Sequence, residues 1–380
     1  MKLLKTGLVV VPVLAGLTAG LIGTAQARVD FGKKGQAVKL VIGYQPYYTE
    51  SWSGVVNNGK QFWKKYLPKG STAEFQIGLQ GSVIVNAMTA EKQHIGYMGD
   101  MPAIASTFKN IKQRGGTDMR IVAVLGTSRQ QCNVFLVRNE APKFKSGREA
   151  VKWMNGKITS VPHGACTDRF ARLAFKKAGI KPARYLNQNI EVITTNFRAG
   201  KLDAAAIWEP TASKIAMAGI ARRAASGEDF NALDGGFMVM LNDLISQRPD
   251  VVKGWLNAEL DAQLFLLDPK NGGAVATMAE QQTEKIDRKV LWASLFVTSP
   301  KSEGGGDVKV QLDFTANPRV QSLLDAATAF LYSLPKKPAA APKIRAGGVD
   351  MSIAAALLKE RGLTSPLGVI KAQPLSNYPK

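Results

Sequence analysis

The sequence predicts an α/β protein built as two lobes that face each other across a cleft. Three observations predict it. Short β-branched strands alternate with amphipathic helices, and the turns between them are made of small polar residues. Seven of those turns follow strand carboxyl ends, and they fall into two groups along the chain. In open parallel sheets ligands collect beyond the carboxyl ends of the strands. Two groups of such ends therefore call for two sheets around one cleft.

The chain starts with a segment that is not part of that fold. Lys2 and Lys5 form a basic start, Leu8–Ile22 is apolar, and Ala25-Gln26-Ala27 is a small-residue cleavage site before Arg28. Residues 1–27 thus read as a secretory signal peptide cleaved after Ala27, and the destination as the periplasm of a Gram-negative cell. No cysteine follows the apolar run, which argues against a lipid-anchored start, and no other stretch is long and apolar enough to cross a bilayer. A length of 380 residues suits about two domains beyond the leader. The net charge of +21 favours anions and acidic surfaces, but the basic residues are dispersed, which speaks against nucleic acid. The plainer alternative is a solvated basic face.

Cys132 and Cys166 are the two cysteines. In an oxidising compartment they can form one disulfide, stabilising by roughly 3–4 kcal/mol in the chain-entropy model; two free thiols at the site are the rival reading. His94 and His163 are the sole histidines, so a multi-histidine metal centre is excluded. Zinc motifs, phosphate loops and serine-hydrolase elbows are absent, and no cofactor and no metal are expected.

Taken in order, Ala37–Gly43 is a strand that ends in the aromatic loop Tyr44–Trp52, and helix-like sequence follows to Leu67. Four rings within nine residues exceed what loop packing needs, and some are expected to line a pocket. Thr72–Leu79 alternates as a second strand, and Gln80-Gly81-Ser82 turns it into a helix. His94–Met98 is a third strand, followed by Gly99-Asp100-Met101-Pro102 and another helix; His94 reads as solvated or hydrogen-bonded. Arg120–Leu125 precedes Gly126-Thr127-Ser128, and Cys132–Arg138 is a fifth strand. Ser146–Asn155 suggests a helix.

Lys157–Val161 is then a strand that runs through Pro162-His163-Gly164-Ala165 into an amphipathic helix. Cys166 or Thr167 can cap that helix, Phe170, Leu173, Ala174 and Ala178 recur at helical spacing, and Gly179 stops it. Such a turn leaves outward-pointing N–H groups, a ready anion site; an ordinary ligand-free turn is the alternative. Ile190–Thr194 reads as a strand ending at Thr195-Asn196, and Ala204–Trp208 as a buried strand closing on Glu209-Pro210. Thr211–Ala218 is helical. From Phe237 onward the pattern turns mainly helical, with segments Gln247–Leu267, Gly273–Ile286, Asp287–Phe296, Asn317–Leu334 and Met351–Arg361. Between them lie a Gly/Lys-rich break at Lys301–Asp307, a short strand Val310–Phe314 and a Pro/Ala/Lys linker Pro335–Pro342.

The phrases IGYQ (Ile42–Gln45), GLQGS (Gly78–Ser82), NAMTAEKQHIGYMGDMPAI (Asn86–Ile104), SVPHGACTDRFARLAFKKAGI (Ser160–Ile180) and ITTNFRAGKLDAAAIWEP (Ile193–Pro210) carry a resemblance. In order and spacing the chain resembles the substrate-binding proteins of ABC importers for nitrate, sulfonates and taurine. The resemblance implies the two-lobed periplasmic-binding-protein (type II) fold. Residues 38–128 and 234–334 would form the first lobe, 129–233 the second, and 335–380 a linker and C-terminal helix. It implies no enzyme activity, a monomer, a small-molecule ligand and an inner-membrane permease as partners.

The residues expected at the ligand are Gln45, Tyr47, Tyr48, Trp52, Gln80, Gly81, Ser82, Gly99, Asp100, Thr127, Ser128, His163, Gly164, Ala165, Cys166, Thr167, Asn196, Trp208 and Glu209. Backbone N–H groups at Ser82 and Cys166–Thr167, with the Ser82 and Thr167 hydroxyls, would hold an anionic head, and Gln45 and Gln80 would orient it. Asp100 and Glu209 would repel a bare anion unless they meet an amine, pair with Arg169 or Arg129, or orient donors; for Asp100, helix capping is the alternative. The expected ligand is a small anionic or zwitterionic molecule with a negative head and a polar or cationic second end. With the resemblance, that puts an aminosulfonate or alkanesulfonate first, then an aromatic or heteroaromatic acid, nitrate, or a thiamine-type pyrimidine. The catalytic alternative rests on Cys166 at a helix start beside His163.

Overall fold

The computed structural model describes residues 29–109, 119–284, 286–336 and 338–379, so the leader read at 1–27 lies outside the described residues. In chain order the strands are β1 Lys39–Tyr44, β2 Thr72–Ile77, β3 Ile95–Gly99, β4 Met119–Ser128, β5 Val134–Val137 and β6 Ile158–Val161. They continue with β7 Arg184–Asn187, β8 Ala204–Ile207, β9 Arg222–Ser226, β10 Asp234–Leu241, β11 Val308–Leu312 and β12 Gly368–Lys371. Two sheets result, ordered β12-β11-β4-β10-β3-β1-β2 and β7-β6-β8-β5-β9. The chain passes from the first sheet to the second between β4 and β5, and returns between β9 and β10.

Each sheet has its own core. In β5 the alternation of Phe135 and Val137 with Val134 and Leu136 feeds two separate apolar clusters, one on each face. One face is closed by Phe170, Ala171 and Ala174 of the helix Cys166–Ala178, whose periodicity the sequence shows. The seven-stranded sheet is packed by the long helix Pro249–Leu267, with Trp255 wholly buried and its Nε1 donating to the Tyr97 hydroxyl at 3.0 Å. His94 is half-buried, and its Nδ1 accepts the Val41 N–H. Burial pushes that imidazole down to about 4.

Several expectations are corrected. The sheets are mixed, not parallel: β10 runs antiparallel to β3 and β4, and β5 antiparallel to β8 and β9. The first strand after each crossing between sheets, β5 or β10, is reversed, and β11 is reversed as well, antiparallel to β4. Ile190–Thr194 is not a strand but opens the helix Ile190–Arg198, with the Asn189 side chain accepting the Val192 N–H and with Ile190, Ile193 and Phe197 on its buried face. Asn196 therefore lies within a helix. The stretch around Phe237 is the buried strand β10; its five-residue apolar run Phe237–Leu241 is by itself compatible with helix or strand, and pairing with β3 and β4 decides it. Strands β7, β9 and β12 go unassigned in the sequence reading, and β12 places part of the C-terminal segment at the edge of the first sheet.

The Lys301–Asp307 break has a structural reason. Gly304 takes a left-handed φ of +77°, and a Cβ there would stand 2.2 Å from the Ser226 nitrogen on β9. Glycine lets this loop of the first lobe lie directly on the second.

Candidate functional site

A cleft of about 300 Å³ opens between the two sheets. From the first lobe its wall takes Gln45 and Tyr48 after β1, Gln80, Gly81 and Ser82 after β2, and Gly99 and Asp100 after β3. From the second lobe it takes His163, Gly164, Ala165 and Cys166 after β6, and Trp208 after β8. These are the strand-end loops picked out in the sequence. Helices Gly81–Thr89 and Cys166–Ala178 both start on this wall.

Neither helix has a side-chain cap. Some first-turn amides are satisfied locally: Val83 N–H donates to the Gln80 carbonyl, and those of Asp168 and Arg169 donate to Ala165. The Gly164 amide is taken by the Asp168 carboxylate at 2.9 Å, which also accepts from Arg172 and Tyr185. Gly164 has φ +77°, so a side chain at that turn would be strained. The remaining amides at the two helix starts have no intrahelical acceptor, and the helix dipoles add positive potential at the cleft. His163 stacks on Tyr185 at 5.0 Å, and burial lowers its pKa against the opposing pull of Asp168.

Seven expected residues stand off the wall. Trp52 is buried and its Nε1 donates to the Pro46 carbonyl. The Tyr47 hydroxyl accepts from the Glu284 N–H, while its carbonyl accepts from Trp208 Nε1 at 3.0 Å, a bond between lobes. Thr127 and Ser128 belong to β4, bonded to Asp313 and to the Lys309 carbonyl. Thr167 is buried, Asn196 sits in its helix, and Glu209 is buried against Arg223 at 2.9 Å. The two acids that looked hostile to an anion are both neutralised, since Asp100 pairs with Arg169 at 2.8 Å.

The wall also holds residues the sequence reading missed. Val85, Asn86 and Ala105 face the cleft one turn beyond Ser82 and Met101, a spacing that helical periodicity could have shown. Lys109, Leu331 and Pro338 also reach it, the last two from segments far away in sequence.

Cys132 and Cys166 form a disulfide, so the described residues offer no free thiol for nucleophilic chemistry, which removes the basis of the catalytic alternative. Asp234 lies beside the two sulfurs, but bonded sulfurs supply no thiolate for a metal. Beneath the cleft, Glu50 and Asp234 are buried carboxyl groups in hydrogen-bond contact. The Tyr48 hydroxyl also lies against Glu50, and with two buried carboxyl groups in contact one of them holds a proton for the other. Burial raises Glu50 well above the usual carboxylate range and Asp234 to about 7.

Because both folded values exceed the unfolded ones, the native state binds more protons above pH ~4. Their contribution to stability is therefore fully present below that pH and is lost as pH rises toward 7. Glu50→Gln keeps the hydrogen bond without the proton. Relative to wild type it should gain roughly 1–3 kcal/mol between pH 4.5 and 7.5 in urea unfolding. His94 acts in the opposite sense, holding its proton less well when folded, and cancels in the difference. A pH-independent difference would mean that the pair shares no proton.

No family model matches the chain. A Brucella abortus (strain 2308) protein, named only provisionally as a binding protein, is 24% identical over 238 residues, which is 60% of this chain and 67% of the relative. Among solved structures, the alkanesulfonate-binding protein SsuA from Xanthomonas axonopodis pv. citri, bound to MOPS, superposes with a TM-score of 0.61 at 19% identity. That match covers 82% of this chain and 98% of SsuA. The periplasmic nitrate-binding protein NrtA from Synechocystis PCC 6803 gives 0.63 at 13% identity, over 86% and 89% of the two chains. These two neighbours are of the kind that the sequence phrases resemble, and the fold of this chain is the two-lobed type II fold of the periplasmic binding proteins.

Proposed function

We propose that the chain is the soluble, exported solute-binding component of an ABC importer, and that it captures a small organic anion by closing its lobes. The observation that carries this reading is the pair of uncapped helix starts, one from each lobe, on one cleft. An anionic head between them would take N–H groups from both lobes, and so would favour the closed arrangement through differential contacts. Gln45 and Gln80 would orient the head, and Tyr48 and Trp208 would cover the body.

Among the described residues of the wall, no acid is left unpaired to demand a cationic end, since Asp100 pairs with Arg169 and Glu209 behind it with Arg223. An alkanesulfonate therefore stands ahead of taurine. An aromatic acid is the second reading, favoured by the two rings. Nitrate fills little of a 300 Å³ cleft.

Native mass spectrometry of the purified mature chain would weigh any retained ligand. A melting panel of propanesulfonate, taurine, benzoate and nitrate would then rank the classes, and a ligand at 100 times its Kd adds about 2.7 kcal/mol. Ser82→Trp, filling the cleft from an exposed position, should abolish that stabilisation. If neither retained mass nor stabilisation is seen across the panel, the reading fails.

A further inference from the structure

A second cavity, of about 270 Å³, shares no wall residue with the cleft. It lies where the helix Thr211–Met217 of the second lobe packs on the helix Arg288–Phe296 of the first. Three cationic side chains line it, Lys309 on β11 of one sheet and Arg222 and Arg223 on β9 of the other. Lys309 is 1% exposed and makes no ion pair among the described residues, Glu209 being the carboxylate that acts on it from a distance. Arg223 is 8% exposed; it donates through Nη1 to Glu209 and through Nη2 to the Gln130 carbonyl. Its Nε is buried and unpartnered.

A buried cation with no ion-pair partner is unfavourable, and cavity water, an anion or loss of the proton relieves it. The charges count to one. Glu209 answers Arg223, and Glu303 on the wall offsets the charge of Arg222, which donates to the carbonyls of Ala141 and Pro142. Lys309 is left over, one positive charge that suits a monoanion. The rest of the lining is largely apolar, and it includes Met217 and Leu375, two large apolar side chains otherwise left in water.

We propose that this cavity is a second binding site, for a small organic monocarboxylate whose head lies between Lys309 and Arg223 and whose apolar body lies on Ala212, Ala216, Met217 and Leu375. Both lobes contribute walls, so its ligand favours the lobe arrangement seen here and couples to the cleft by linkage. The proton balance fits as well. Burial, with Arg223 adding to it and Glu209 opposing, holds the empty-site amine down at about 7. A bound carboxylate restores the charge, so binding takes up a proton and weakens as pH rises above 7.

The test is calorimetric titration of the full mature chain with butanoate. Wild type should bind with a Kd on the order of 1 mM or tighter, about tenfold weaker at pH 8 than at pH 6. Ser82→Trp, which blocks the first cleft, should bind butanoate like wild type, whatever ligand that cleft takes. Lys309→Met should lose at least tenfold. Ala216→Phe fills the cavity from the helix side with Lys309 intact, and should lose binding too, which keeps the test open if Lys309→Met does not fold. Absence of binding in wild type overturns the proposal. So does binding that survives either cavity variant, or that disappears with Ser82→Trp.

Discussion

Arg169→Met is expected to destabilise the protein by about 3–5 kcal/mol, because it strands buried negative charge without its partner. The Arg169 Nη2 donates to Asp100 Oδ2 at 2.8 Å and to the Leu233 carbonyl at 2.6 Å. One guanidinium on the second lobe thus holds a carboxylate of the first and the backbone where the chain returns to it. Asp100 is wholly buried, and burial raises its pKa even with Arg169 pulling the other way. Asp234 also feels the same positive charge. Methionine keeps the stem's packing and removes the cation, so the loss reports electrostatics, not a cavity.

The second arm of the cycle is Asp100→Asn. If the two groups act as a pair, the double variant should lose less than the sum of the singles, with a coupling of about 1–3 kcal/mol. Urea unfolding at pH 7 measures all four forms. A loss under 1 kcal/mol for Arg169→Met would show that the buried acids are neutral by themselves and need no counter-ion.

What could be read in advance follows the kind of information each residue carries. Gln45, Gln80, Gly99 and Gly164 stand at strand ends where small or turn-forming residues interrupt an apolar run, and that interruption is local. The reversed direction of β5 and β10 is not local. It depends on which sheet the chain enters after crossing, and no residue within either strand encodes it. Glu209 shows the limit for side chains. Its position at the end of β8 is legible, but its direction is set by Arg223 on β9, a strand whose RRAAS sequence carries no strong β signal. Thr127 and Ser128 fail for a related reason: the ladder with β10 continues through them, and Asp313 and Lys309 cover them. Leu331 and Pro338 reach the cleft only through tertiary packing.

Removing the disulfide, as Cys132→Ala with Cys166→Ala, should cost about 4 kcal/mol in the chain-entropy model for a separation of 34 residues. The bridge ties the segment crossing into the second lobe to the first turn of the helix Cys166–Ala178. Around it Tyr48, Ile190 and Trp208 form a small apolar cluster that draws on both lobes. Cys132 N–H also donates to Asp234 at 3.0 Å, so the bridge adjoins the shared-proton carboxyl pair. Two mechanisms are separable by the slope of urea unfolding. If the bridge acts by restricting the unfolded chain, its removal lets that chain expand, and the m-value rises along with the lower midpoint. If it acts by holding the native cleft, the m-value stays, and ligand affinity falls instead, since Cys166 is part of the wall. A double variant within 1 kcal/mol of wild type, with unchanged affinity, would show that the surrounding cluster and the Asp234 bond fix this junction without the covalent link.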